Sequence, residues 1–353
     1  MSSGAQRPIR VLIVEDIRVI AEYLTHVLRS DPQLDVVGVV ADGEAAIEAA
    51  LSLQPDVITM DINMPKMDGF EATRRIMEVR PVPIVIVCGG LSTDEVAIKF
   101  HALEAGALAV VARPGGPGSI GQDASIRDLL DTVKLMSEVR VVRRWRKGKP
   151  NAGTLAAPTI NRSVGAVQIV AIGASTGGPA ALQTILAGLP RDFPHPVLIV
   201  QHMTPGFVQG FVEWLGNATG FPVHVARDGE DILPGRAYVA PDDFHMGVRP
   251  GNRILLTRNF KESQLRPSVS YLFGSVEQVF GSSAVGVLLT GMGRDGVDEL
   301  KRLKDAGAIT VAQDAVSSVV HGSPGEAINI GAAQHVLSPQ AIATTLATMT
   351  VRP

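Results

Sequence analysis

A chain of 353 residues is too long for one ordinary core, and at roughly 150 residues per domain it predicts two. Hydrophobic residues make up 46% and charged ones 19%, which excludes a disordered chain; aromatics reach only 4%, so the core is predicted to be Val, Ile, Leu and Ala, as in parallel sheets covered by helices. A net charge of -3 with a pI of about 6.3 gives no global pull toward nucleic acid or anionic membrane, and a single cysteine excludes an internal disulfide and suits a reducing compartment.

From Ile9 onward short apolar runs alternate with amphipathic segments. Arg10 to Val14, Val19 to Leu28, Leu34 to Val40, Glu44 to Leu53 and Val57 to Met60 read as βαβαβ. The alternation continues through Phe70 to Val79, Ile84 to Val87, Asp94 to Ala105 and Ala109 to Ala112, and a helix from about Ile126 to Val142 closes it. Five strands and five helices predict a doubly wound α/β domain with ligands at the carboxyl ends of its strands. The stretch from Met1 to Arg10 lacks the apolar core of a signal peptide, and no uninterrupted apolar run of about 18 residues follows. The expectation is a cytoplasmic protein without membrane insertion.

The strand ends of this first domain carry acids: Glu15 and Asp16 after the first strand, Asp61 after the third. Singly, Asp16 can cap a helix and Asp61 can open a turn. Three carboxylates brought together repel one another unless a hard cation sits between them, and oxygen-only ligation suits Mg²⁺. Val14-Glu15-Asp16 and the run Met60-Asp61-Ile62-Asn63-Met64-Pro65-Lys66-Met67-Asp68-Gly69 make residues 9 to about 142 resemble a response-regulator receiver domain, of flavodoxin-like (βα)5 fold. The resemblance implies that Asp61 is the phospho-acceptor, a carboxylate nucleophile, and that Glu15 and Asp16 help it hold Mg²⁺. Two positions depart from the family pattern. Cys88 stands where receivers carry Ser or Thr, and Arg113, in Arg113-Pro114, where they carry Lys. A thiol is a weak donor and a guanidinium fork has a different reach from an ammonium, so weak or altered activation is expected.

From about Gly148 to Val164 the chain is small, polar and broken by proline, which reads as a linker. The domain boundaries are therefore set at 9–142, 143–164 and 165–350. Just ahead of the linker, Arg140, Arg143, Arg144, Arg146, Lys147 and Lys149 cluster around Trp145. A solvated helix end explains this cluster, with a nucleic-acid patch or a docking surface for an acidic partner as the other readings.

The second domain begins with Val167 to Ile172, a buried-strand pattern broken by Gly173, followed by Ser175 at the bend and a helix from Ala180 to Leu189 opened by Pro179. Then come a strand at Val197 to Gln201, a helix at Phe207 to Thr219, strands at Val223 to Ala226 and Ala237 to Ala240, and a hairpin of Met246 to Val248 with Arg253 to Thr257 through Pro250-Gly251-Asn252. A helix at Val269 to Phe280, a strand at Ala284 to Leu289, a helix at Val297 to Ala306, a strand at Ile309 to Gln313 and a last helix at about Pro339 to Thr348 complete a second doubly wound, parallel-sheet α/β domain.

Three strand ends in this domain supply Ser175, His202 and Asp295. Acyl transfer needs such a trio, because a hydroxyl is a weak nucleophile until an imidazole takes its proton, and a carboxylate orients the imidazole and stabilises its cation. The chain order Ser, His, Asp is not that of α/β-hydrolases, chymotrypsin or subtilisin. Taken singly, Ser175 also reads as a turn or cap residue, His202 as a hydrogen-bonded structural histidine, and Asp295, before Gly296, as an N-cap. His224, His321 and His335 have no metal-ligand spacing.

Gly173-Ala174-Ser175-Thr176-Gly177-Gly178-Pro179, Gln201-His202-Met203, Ala240-Pro241 with His245, Arg266-Pro267-Ser268-Val269 and Leu289-Thr290-Gly291-Met292-Gly293-Arg294-Asp295-Gly296 together resemble the catalytic domain of chemotaxis protein-glutamate methylesterases. The resemblance implies hydrolysis of glutamate γ-methyl esters on the cytoplasmic helices of chemoreceptors and deamidation of receptor glutamines. Ser175 is then the nucleophile, His202 the base and acid, and Asp295 its orienter. Backbone N–H groups around Met292 serve the oxyanion, Thr176 and His245 line the site, no cofactor serves catalysis, and a chemotaxis-type histidine kinase is the phosphodonor. His321-Gly322-Ser323-Pro324-Gly325-Glu326-Ala327-Ile328 fits the family pattern only loosely. Two rival readings are a receiver-controlled module that holds a phosphate or nucleotide at the glycine turn, and a transcriptional regulator. Against them, the turn has neither the Lys-Ser/Thr of a P-loop nor GxGxxG spacing, and no helix-turn-helix pattern follows the Arg-rich segment.

Overall fold

The computed structural model describes residues 7–89, 102, 105–116, 118–119, 121–139, 141, 167–203, 205–259 and 265–349. The chain divides into two compact units, Met1–Asn151 and Ala152–Pro353.

In the first unit the elements run β1 (Ile9–Val14), α1 (Arg18–Arg29), β2 (Leu34–Val40), α2 (Gly43–Leu53), β3 (Val57–Met60), α3 (Gly69–Val79), β4 (Ile84–Cys88), β5 (Ala109–Ala112) and α4 (Gln122–Ser137). The five strands form one parallel sheet in the order β2-β1-β3-β4-β5. Val11 to Val14 and Ile84 to Val87 are buried without alternation, as expected of strands covered on both faces. Asp42 and Asp68 cap α2 and α3 by accepting the Ala45 and Glu71 N–H groups, so Asp68 of the acidic-strand motif has a structural task. The chain order reverses between β1 and β3, and there the loops carrying Glu15, Asp16 and Asp61 meet.

In this unit most bounds lie within a residue of the sequence expectation, and one element differs by more. The last helix spans Gln122–Ser137 rather than Ile126 to Val142. It starts early because Gly121 takes a left-handed conformation as N-cap and the Gln122 side chain folds back to accept the Gly118 N–H at 2.9 Å, a turn signal weaker than the apolar period that follows. The helix expected over Asp94 to Ala105, the Arg-rich cluster and the linker fall largely or wholly outside the described residues.

The second unit contains β6 (Ile169–Ala174), α5 (Gly178–Ala187), β7 (Val197–Gln201), α6 (Val208–Thr219), β8 (Val223–Val225), β9 (Ala237–Val239), the hairpin β10 (His245–Arg249) and β11 (Arg253–Thr257), α7 (Val269–Phe280), β12 (Ala284–Leu288), α8 (Val297–Asp305), β13 (Ile309–Gln313), α9 (Ser323–Asn329), β14 (His335–Leu337) and α10 (Pro339–Thr348). Seven strands form a parallel sheet in the order β14-β13-β12-β6-β7-β9-β8, and the hairpin forms a separate antiparallel pair. The strand β14, absent from the sequence reading, is three residues long and only partly buried, so it has no periodic signal; the open edge of β13 pairs it. The sheet runs outward from β6 in both directions. Its switch point lies between β6 and β12, where an open parallel sheet leaves a crevice beyond its carboxyl ends.

Candidate active site

Ser175 follows β6 directly. Its N–H donates to the Thr290 carbonyl at 3.0 Å, and its own carbonyl accepts the Gly178 N–H at 2.8 Å, which turns the chain into α5. The N-cap of that helix is Gly177, at φ +80°, with no side-chain cap, so the Ser175 hydroxyl is not consumed in capping. The alternative of a cap residue thus has no support in the local geometry.

His202 follows β7, and its N–H donates to the Ala174 carbonyl at 2.9 Å, extending the β6–β7 ladder by one rung. Its Nε2 lies 3.0 Å from Oδ2 of Asp295. Asp295 is not the cap of the helix that follows it: Gly296 is, without a side-chain bond. The carboxylate instead caps α7, accepting the Ser268 hydroxyl at 2.8 Å and the N–H groups of Val269 at 2.7 Å and Ser270 at 3.0 Å. A helix N-terminus stabilises such a charge. Burial by itself pushes this carboxyl up, but the hydrogen bonds from His202, Ser268, Ser270 and Val269 outweigh it and leave its pKa at about 2. An ionised carboxylate only accepts, so Nε2 of His202 is the donor in this bond. Among the described residues no hydrogen bond joins the Ser175 hydroxyl to His202; such contacts tighten when substrate binds.

Close packing sets the helix end that holds Asp295. A Cβ on Gly173 or on Gly296 would sit 2.3 Å from Cγ1 of Val269, so only glycine on both sides lets the first turn of α7 approach strand β6 and the Asp295 loop. Further along α7, Leu272, Phe273 and Val276 are fully buried, each contributing about 2 kcal/mol.

The other three expected site residues differ in placement. Met292 is exposed on the loop after β12, while Thr176 is half-buried and its carbonyl accepts the Thr290 hydroxyl at 2.9 Å. His245 is fully buried at the start of β10, its ring centroid 5.4 Å from that of Tyr271. Burial and then the Arg266 charge push its pKa down against the opposing pull of Asp295, which keeps the ring neutral. Residues 320–323, which run into the loosely matched stretch His321 to Ile328, strap the Met292 loop. Gly291 donates to Val320, Gly322 and Ser323 donate to the Gly291 carbonyl, and the Ser323 hydroxyl reaches the carbonyls of Met292 and Gly293. Ser268 and Ser323 were given no task by sequence reasoning. A serine directly before an apolar helix, as at Ser268, is a cap signal that could have marked the first.

In the first unit Glu15, Asp16 and Asp61 offer oxygens within 4.8 Å of one another. Glu15 and Asp61 are buried, and Glu15 Oε2 and Asp16 Oδ1 have no hydrogen-bond partner among the described residues. Burial, and after it neighbouring acidic charge, pushes the Glu15 and Asp61 carboxyls up, with Arg113 opposing at both. This all-oxygen, undercompensated set fits a hard divalent cation. Arg113 Nη2 stands 3.9 Å from Asp61 Oδ1, while the Cys88 thiol lies 4.0 Å from the Val111 carbonyl within its own sheet. Among the described residues no helix is long and apolar enough to cross a membrane.

Residues 170–346 match the family model described as CheB methylesterase, and residues 11–124 match that of the response regulator receiver domain. The chain is 53% identical over 342 residues to the protein-glutamate methylesterase/protein-glutamine glutaminase 4 of Geobacter metallireducens, covering 97% of this chain and 99% of that one. It is 54% identical over 341 residues to the enzyme of the same name from Nitrosospira multiformis, covering 96% of each. Among solved structures it is similar to the CheB methylesterase catalytic domain of Thermotoga maritima, at 36% identity and a TM-score of 0.50, over 52% of this chain and 98% of that one.

Proposed function

The chain belongs to the protein-glutamate methylesterase family in which a receiver domain precedes the catalytic domain, and on that premise we propose that it hydrolyses γ-methyl esters of glutamate, and deamidates glutamines, on the cytoplasmic helices of chemoreceptors. Ser175 Oγ attacks the γ-carbonyl as Nδ1 of His202 takes its proton. The imidazolium so formed is held by Asp295, which stays ionised throughout because its conjugate acid is far stronger than imidazolium. His202 then protonates the leaving ester oxygen, released as methanol, or the leaving amide nitrogen, released as ammonia, and water discharges the acyl-enzyme by the same proton path. The oxyanion is served by backbone N–H groups around Met292, held by the 320–323 strap; Thr176 borders the nucleophile, and His245 lines the site. Catalysis requires no cofactor. The observation that carries this reading is the bond from His202 to a carboxylate already saturated by a helix N-terminus, one strand away from Ser175.

In the receiver, Asp61 takes the phosphoryl group from a chemotaxis-type histidine kinase in the cytoplasm; Glu15, Asp16 and Asp61 would hold Mg²⁺. Bound there, the ion supplies charge neutralisation for carboxylates and phosphoryl oxygens that would otherwise repel. Phosphorylation has a weak or altered effect on the hydrolase, because the Cys88 thiol is a poor hydrogen-bond donor to a phosphoryl group and Arg113 replaces an ammonium. The variant Cys88→Thr with Arg113→Lys is therefore expected to raise the activation given by acetyl phosphate and Mg²⁺ about fivefold or more over wild type. Equal activation of the two proteins would remove the role given to these positions.

The function is tested by methanol release from a methylated chemoreceptor together with labelling by a serine-directed fluorophosphonate. Both are expected of the wild type and neither of Ser175→Ala. Absence of methanol release with salt-sensitive DNA binding in its place would favour the transcriptional regulator.

A further inference from the structure

We infer that Gln201 is a positioning residue whose side-chain amide clamps the backbone of the nucleophile to the backbone of the base; the inference rests on the reading of Ser175 and His202 given above.

Gln201 is the last residue of β7 and pairs with Ala174, the last of β6. Past one more backbone bond, from the His202 N–H to the Ala174 carbonyl at 2.9 Å, the two chains part, one turning into α5 through Ser175 and the other leaving the sheet after His202. The Gln201 side chain, 3% exposed, closes the gap. Its Nε2 donates one hydrogen to the Ser175 carbonyl at 2.9 Å and the other to the His202 carbonyl at 2.8 Å. The amide orientation follows from these partners, since the reversed group would set its oxygen against two carbonyl oxygens.

Two further observations separate this arrangement from ordinary core filling. Gln201 Oε1 is buried without a hydrogen-bond partner among the described residues, a cost that an apolar side chain of the same volume would avoid. A Cβ on Gly178 would lie only 2.0 Å from that oxygen, so the first residue of α5 must be glycine for the amide to reach its two carbonyls. The amide thus occupies a place made for it at a cost in hydrogen bonding, and what it holds is the spacing of Ser175 relative to His202. Proton transfer between those side chains is steep in distance, and a misplacement of about 1 Å can cost about 10²-fold.

The test uses the full-length protein with a methylated chemoreceptor as substrate, and normalises kcat to sites titrated to completion with a fluorophosphonate. Gln201→Met removes both donors at similar volume. Gln201→Asn keeps an amide too short to reach both carbonyls, and serves as the second variant if the methionine protein does not fold. Thr310→Val removes another buried hydrogen bond, from the Thr310 hydroxyl to the Ala332 carbonyl at 2.7 Å, in a strand interior, and is the control for generic loss. Each Gln201 variant is expected to lose about 10- to 100-fold in kcat per titrated site with KM changed by less than about twofold. Thr310→Val is expected to lower the unfolding temperature and leave kcat per site within about twofold. A Gln201 variant whose kcat per site stays within about twofold of wild type overturns the inference, as does a loss matched by Thr310→Val. If Ser175→Ala keeps its activity, the reading of the triad fails first; if it is inactive while the Gln201 variants are normal, only the clamp fails.

Discussion

Ser175→Ala is expected to lower kcat for methyl-ester hydrolysis about 10⁶-fold while leaving the unfolding temperature close to that of wild type. The magnitude follows from the loss of covalent catalysis, since without Oγ the imidazole has no nucleophile to deprotonate and the reaction reverts to attack by bound water, helped only by binding and the oxyanion donors. The unchanged stability follows from the structure. The Ser175 backbone carries the turn, through bonds to Thr290 and Gly178, and the side chain caps nothing. Steady-state methanol release with thermal unfolding measures both halves. A second arm checks that the three residues act as a unit: the double variant Ser175→Ala with Asp295→Asn is expected to be no slower than Ser175→Ala alone, because members of a triad are far from additive.

Asp295→Asn by itself is expected to cost about 10⁴-fold in kcat. Four donors converge on this carboxylate, and an asparagine offers one acceptor oxygen and turns two N–H groups toward the rest of them. If the amide nitrogen faces His202, Nε2 must become the acceptor and Nδ1 the donor, the wrong tautomer for a base. If it takes the place of Oδ1 at the start of α7, the Ser270 N–H and the Ser268 hydroxyl lose their acceptor. Stability changes as well, with a sign set by the depressed pKa. A carboxyl at about 2 in the folded chain and near its ordinary 3.8 in the unfolded one contributes about 2 kcal/mol above pH about 4, and that contribution disappears as pH falls through about 2. The wild-type catalytic domain is therefore expected to lose stability over this window more steeply than Asp295→Asn. Urea unfolding of both proteins at neutral pH and near pH 3 decides the point: equal acid sensitivity would mean that Asp295 is not the group held so low.

Most of the architecture was legible in the chain because parallel strands buried on both faces leave unmistakable marks. Ile169 to Ile172, Val197 to Val200 and Ala284 to Leu289 are runs without a polar residue that end abruptly, and the residue types after each end stand out against them. Glu15, Asp16 and Asp61 were legible for the same reason. Elements with weak local signals were harder: the three-residue strand His335–Leu337 exists because a neighbouring edge is open, and the start of the helix at Gln122 is decided by a glycine turn.

What the sequence determined by itself, then, is the alternation of buried strands and covering helices and the presence of a serine, a histidine and acids immediately beyond particular strands, since burial pattern and turn chemistry are local properties. What the tertiary structure alone decided is how those groups are held. Asp295 caps α7 rather than the helix beside it, Nε2 rather than Nδ1 of His202 faces that carboxylate, and Gln201 ties the ends of two neighbouring strands together. The bonds of Asp295 to Val269 and His202 and of Gln201 to Ser175 join residues 26 and 93 positions apart; Gly173 and Gly296 let Val269 approach closely, and Gly178 leaves room for the Gln201 amide. Contacts of that separation depend on which strands neighbour one another in the folded sheet, and no periodicity along the chain records them.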